Sequence, residues 1–107
     1  MELLQGNTYR MLVKLKINCE PINIEDINIV QFVIGNLEKY YRKDEESEVI
    51  YDEEGKQFII TLTQEETYSL KDDELCQFRV KFTNDEVKGT YPFRCNVRES
   101  LKEVILW

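Results

Sequence analysis

Residues 62–70 read LTQEETYSL, and the adjacent carboxylates Glu65 and Glu66 are the side chains that look most like an acid/base pair. Paired carboxylates do hydrolytic chemistry when they face each other across a bond, roughly 5–9 Å apart in glycosidases. Neighbours in sequence point different ways on a helix or a strand, so Glu65 and Glu66 are poorly placed to act on one substrate. Their spacing fits another role. Thr63 is a good helix N-cap and Glu66 stands three places later, the T-x-x-E pattern of a capping box, in which each side chain satisfies a backbone amide at the helix start. Gln64, Glu65 and Glu66 fill the first turn, where the helix dipole favours negative charge. A short helical turn near 64–70 is expected, a corner between sheets from which Tyr68 and Leu70 fold back toward the core. Thr63 and Glu66 are then structural residues, and a Thr cap contributes about 1 kcal/mol.

Other chemistry is scarcer still. The chain has no histidine, which removes the commonest general base, the commonest metal ligand and every Ser-His or Cys-His nucleophile. Cys19, Cys76 and Cys95 are odd in number and widely spaced, so they form no zinc pattern and are expected as buried free thiols. The acidic runs YDEEG and KDDE lack the ligand offsets of a calcium loop and are expected as solvated turns. Four scattered glycines make no phosphate-binding loop. Tyr40, Tyr41, Tyr51 and Tyr91 offer an aromatic platform for a sugar, against which stands the ordinary half-buried packing of strand tyrosines. No catalytic, cofactor-binding or metal-binding residue is assigned, no cofactor is expected, and an enzyme is not.

With 107 residues, 42% of them hydrophobic and 33% charged, the chain is long enough for one domain, 1–107, and too apolar for disorder. Its net charge of −7 opposes attraction to phosphate backbones and anionic membranes, so neither nucleic acid nor membrane is expected as a partner. The opening MELLQGNTYR lacks the basic start and apolar core of a signal peptide, and no apolar run reaches the ~20 residues of a membrane span. Synthesis in a reducing cytoplasm follows.

The elements that must carry these residues are strands. In YRMLVKLKI, Tyr9, Met11, Val13, Leu15 and Ile17 share one face, with Arg10, Lys14 and Lys16 opposite. CQFRVKF places Cys76, Phe78, Val80 and Phe82 inward, and YPFRCNV does the same with Tyr91, Phe93, Cys95 and Val97. Pro92 has no amide to donate, so its strand is expected at an edge there or bulged. INIVQFVIG reads as a more buried strand with Val30, Phe32 and Ile34 toward the core. NLEKYYR extends a strand through Leu37, Lys39 and Tyr41 or begins a helix. The charge run Lys43–Glu48 is expected as a solvated hairpin loop, residues 48–63 as a hairpin turning near Gly55, and Asn84-Asp85 as a second hairpin turn. SLKEVILW closes the chain as a last strand or a short helix. About seven short strands with a turn signal every ten or so residues predict an all-β fold, an immunoglobulin-like antiparallel β-sandwich. The Cys-Trp-Cys hallmark of antibody domains is missing, since Trp107 is the final residue.

The order QGNTYRMLVKL, INIVQFVI, VIYDEEGKQFIITLTQEET, CQFRVKF and FRCNVRESLKEVI resembles small phage and prophage structural proteins of Gram-positive bacteria, in particular the N-terminal sandwich domain of baseplate upper proteins. The resemblance implies a non-enzymatic structural or assembly module of a tail or baseplate. Its partners would be other tail or baseplate proteins or a second copy of itself, and it would be virion-associated after synthesis. It carries over no catalytic residue and no cofactor. The alternative, from a different class, is a carbohydrate- or small-ligand-binding sandwich, which needs exposed aromatic rings spaced across one sheet face.

Overall fold

A computed structural model describes residues 2–100, so SLKEVILW lies, apart from Ser100, outside the described residues. The strands are β1 (Glu2–Leu4), β2 (Tyr9–Val13), β3 (Lys16–Ile17), β4 (Glu20–Pro21), β5 (Ile27–Ile34), β6 (Leu37–Arg42), β7 (Ile50–Asp52), β8 (Gln57–Leu62), β9 (Glu74–Phe82), β10 (Val87–Gly89) and β11 (Phe93–Arg98). One helix, α1 (Gln64–Tyr68), joins β8 to β9, and a 3-10 turn covers Ile24–Asp26. The fold is all-β.

A small sheet runs β2-β8-β7, and a large one runs β1-β11-β9-β5-β6 with β10 also on β9. This is the strand distribution of an immunoglobulin-like sandwich: the second, fifth and fourth strands of the Greek key in one sheet, the seventh, sixth and third in the other, with one more strand beside the third. The expectation of purely antiparallel pairing fails at one place. β1 pairs parallel with β11, Glu2 opposite Asn96 and Leu4 opposite Arg98, because β1 feeds β2 in the opposite sheet and so never turns back on a neighbour.

Alternation places the core. Val30, Phe32 and Ile34 of β5, Cys76, Phe78 and Val80 of β9, and Cys95 and Val97 of β11 meet Phe58, Ile60 and Leu62 of β8, all buried. The rings of Phe32 and Phe78 lie 4.8 Å apart across neighbouring strands. Tyr9, Met11 and Val13 of β2 pack half-buried against this cluster.

The turns account for the strands beyond the expected seven. Asn18 and Cys19 both have positive φ (51° and 66°) between β3 and β4, the type I′ geometry that closes a two-residue hairpin. Cys19 is therefore exposed at a turn, where a buried thiol was expected, while Cys76 and Cys95 are buried. Gly35, at φ 56°, opens the two-residue turn from β5 to β6, so NLEKYYR continues as a strand. Asn84 accepts a hydrogen bond from the Glu86 amide (3.0 Å) at the β9–β10 turn. The charged stretch after Arg42 is solvated, but it is no hairpin loop: β6 pairs with β5 and β7 with β8, so it crosses from sheet to sheet.

Pro92 sits in a bulge. Gly89 pairs with Arg79 and pairing resumes at Phe93 with Cys76, so three residues stand between these pairs against two on β9. The bulge carries Tyr91 out of the ladder, so Tyr91 is 92% exposed where alternation predicts it inward.

A left-handed backbone costs an ordinary L-residue about 1–2 kcal/mol and glycine little. Cys19→Gly is therefore expected to stabilise the fold by about 1 kcal/mol, read as a higher midpoint in chemical denaturation. In the folded wild type a thiol reagent should label Cys19 alone, with Cys76 and Cys95 reacting only after unfolding. Burial pushes the Cys76 thiol up to about 12 and the Cys95 thiol upward as well, so neither offers thiolate at neutral pH.

Candidate functional site

The corner at α1 is built on Thr63, whose extended backbone (φ −81°, ψ 167°) makes it the N-cap. Its Oγ1 accepts a hydrogen bond from the Glu66 amide (3.2 Å), and Glu66 Oε1 accepts one from the Thr63 amide (3.0 Å). Glu66 Oε2 lies 2.6 Å from Lys39 Nζ, which also approaches Glu48 at 3.4 Å. Glu65 points to solvent, so the two adjacent glutamates do not converge.

Lys39 is the unusual member. It shares the inward face of β6 with Leu37 and Tyr41, and its side chain is 11% exposed against 23% for Glu66. A cation so placed needs a carboxylate and hydrogen bonds. Burial alone would raise the Glu66 carboxyl, but the hydrogen bonds from Lys39 and from the Thr63 amide outweigh it and hold the group below its usual range. The pair ties α1 to β6.

The same helix is tied to the chain's first turn. Thr67 is fully buried; its Oγ1 accepts from the Gly6 amide (3.0 Å) and lies 2.9 Å from the carbonyl of Asn7, to which it donates. Gln5 Nε2 donates to the carbonyl of Leu70 (2.8 Å), and Leu70 is buried as expected. Gly6, at φ 85°, stands where a Cβ would meet the Tyr68 hydroxyl at 2.6 Å. Sequence reasoning found Thr63 and Glu66 by spacing but missed Lys39, Thr67 and Gln5, whose partners are distant in the chain. An inward lysine in an otherwise apolar alternation was the available signal.

The other candidate residues stay apart. Tyr41 and Tyr51 pack edge-on against Phe58 at 5.4 and 5.1 Å. Tyr40 lies on the opposite face, its hydroxyl bonded to Gln31 (2.9 Å) and Glu38 (3.1 Å) with the Arg42 guanidinium over its ring. With Tyr91 in the bulge, the four tyrosines make no shared platform. The YDEEG turn holds Asp52 as an acceptor for Gln57 (3.0 Å), a bond that lowers its carboxyl below the usual range. Among the described residues no group of three or more Cys, Asp or Glu side chains converges to hold a metal ion, and no helix is long and apolar enough to cross a membrane.

The outer face of the small sheet carries a feature the alternation obscured. Leu12 and Ile50 both pair with Ile59, one from each side, forming an apolar row across all three strands. Leu12 is 59% and Ile50 57% exposed. Arg10 with Thr61 and Asp52 with Gln57 border the row with polar groups. Leu12 stands between Arg10 and Lys14 on a face read as polar, which was the overlooked sign.

Thr63→Ala is expected to cost about 1 kcal/mol, and Glu66→Ala about 3 kcal/mol, because it also leaves Lys39 buried beside only the more exposed Glu48. Thermal or denaturant unfolding of the two variants checks the order. Because the folded-state pKa of Glu66 is depressed, its contribution is complete above the ordinary glutamate range and is lost as pH falls through that range to the folded value. The stability gap between wild type and Glu66→Gln should thus be constant near neutrality and shrink in acid.

Comparison of the chain with protein-family models, with curated proteins and with solved structures gives no match, and the geometry of its surfaces is what remains to speak for its role.

Proposed function

We propose that this chain is a non-enzymatic structural or assembly module that acts through protein–protein contacts. The observation that carries the reading is the Leu12–Ile59–Ile50 row. Single exposed apolar side chains are ordinary on a protein surface. A row continuous across three strands and bordered by polar groups has the anatomy of a contact surface, an apolar centre with a wet rim. A rigid sheet supports it, so little conformational freedom is lost on docking.

The resemblance of the strand segments to tail and baseplate proteins gives this module its setting, a phage or prophage tail assembly. Neighbouring tail or baseplate proteins, or a second copy, are then the partners that cover the row. Tyr40, Tyr41, Tyr51 and Tyr91 lie apart, which favours this reading over the sugar-binding alternative built on those four rings.

The test is a tagged wild type against the double variant Leu12→Lys with Ile50→Lys, recovered from native cells after prophage induction and analysed by mass spectrometry and sedimentation velocity. Both changes lie on solvent-facing positions, so the variant should fold normally by circular dichroism. Tail or baseplate proteins, or a self-assembled oligomer, are expected with the wild type and lost with the variant. A wild type that is monomeric and alone would overturn the reading.

A further inference from the structure

Among the described residues, the large sheet has an uncovered edge at β10. In the β9–β10 hairpin the Phe82 amide donates to the Glu86 carbonyl and the Thr90 amide to the Phe78 carbonyl, each at 2.9 Å, with Lys88 opposite Val80 between them. Hydrogen-bonded pairs alternate along an antiparallel ladder, so the backbone groups of Val87 and Gly89 point away from β9. Among the described residues no backbone group bonds to them from that side. β1 covers only the far end of this edge, at Asn96–Arg98.

Beside the uncovered edge lies a cavity of about 90 Å³. Its floor is the inward face of β9, Phe78, Val80 and Phe82, and its opposite wall is Leu15, Ile17 and Ile22 around the β3–β4 hairpin. Lys88 shares the inward face with Val80, and Lys16 lines the cavity from the other side. Among the described residues no carboxylate lines it. The site thus combines unpaired backbone donors and acceptors, an apolar recess with room for an aliphatic side chain, and two amines.

We propose that the β10 edge is a strand-addition site for an extended acidic peptide segment of a partner protein. The added strand bonds to the backbone of Val87 and Gly89 and completes the sheet. Its inward side chains are a carboxylate opposite Lys88 and an aliphatic residue two places to either side, seated over the recess. The lysine also decides against a second copy as the occupant. Two β10 edges paired about Lys88 would set like charges directly opposite, and an inward lysine on an edge strand discourages such self-pairing. The site is on a different sheet from the Leu12–Ile59–Ile50 row and stands independently of it.

The probe is a fluorescent peptide, acetyl-Ser-Val-Thr-Glu-Thr-Val-Ser-amide, and its counterpart with Lys for Glu, titrated into the full chain by anisotropy. The Glu peptide is expected to bind the wild type about tenfold tighter than the Lys peptide, with the preference reversed in Lys88→Glu. Amide exchange at Val87 and Gly89 should slow in the bound state. Val87→Pro, which removes an outward amide and leaves the β9 ladder intact, should abolish binding while keeping the melting temperature. Absence of saturable binding at millimolar peptide, or binding indifferent to Lys88→Glu, would sink the proposal. So would protection of the same amides by protein concentration alone, which would give the edge to a second copy.

Discussion

One carboxylate holds this sandwich together at its corner. Glu66 caps α1 through the Thr63 amide and, with its other oxygen, pairs with Lys39. Thr63 follows β8 in the small sheet and Lys39 lies on β6 in the large one, so the contact spans the two layers. Apolar burial drives the sheets together but is indifferent to small slides between them. A charge pair with both members largely withdrawn from water is not, because displacing either strands the other.

That constraint also orders the edge. β6 ends the large sheet, and edge strands invite unwanted pairing. An inward lysine is tolerable in β6 only where a carboxylate waits across the interior, and α1 supplies it. At the opposite border, Lys88 faces inward on β10, and among the described residues no carboxylate lines the recess beside it. Two inward lysines on the two borders thus differ in one respect: one has its counter-charge within the fold, and the other faces an open recess.

The two exposed features lie on separate sheets. The apolar row on β2, β8 and β7 is a flat, side-chain surface; the β10 edge offers backbone and one recess. In the interior, burial holds the thiols of Cys76 and Cys95 protonated.

Local rules were enough for much of this. Alternation in β5 and β9 named Val30, Phe32, Ile34, Phe78 and Val80 as core, because a half-buried strand has period two whatever its neighbours are. The T-x-x-E spacing located the α1 cap, because its hydrogen bonds close within one turn. What lay beyond reach depends on pairs far apart in the chain. The parallel β1–β11 ladder, the Lys39–Glu66 contact, the Thr67 bonds to Gly6 and Asn7, and the alignment of Leu12, Ile59 and Ile50 arise only when strands choose neighbours. Even the exposure of Tyr91 turns on a single extra residue against β9, a register event and not a property of YPFRCNV. Period and spacing determined which residues face inward; tertiary pairing alone decided what they meet, since that choice is made by the energy of the whole sheet and not by any one segment.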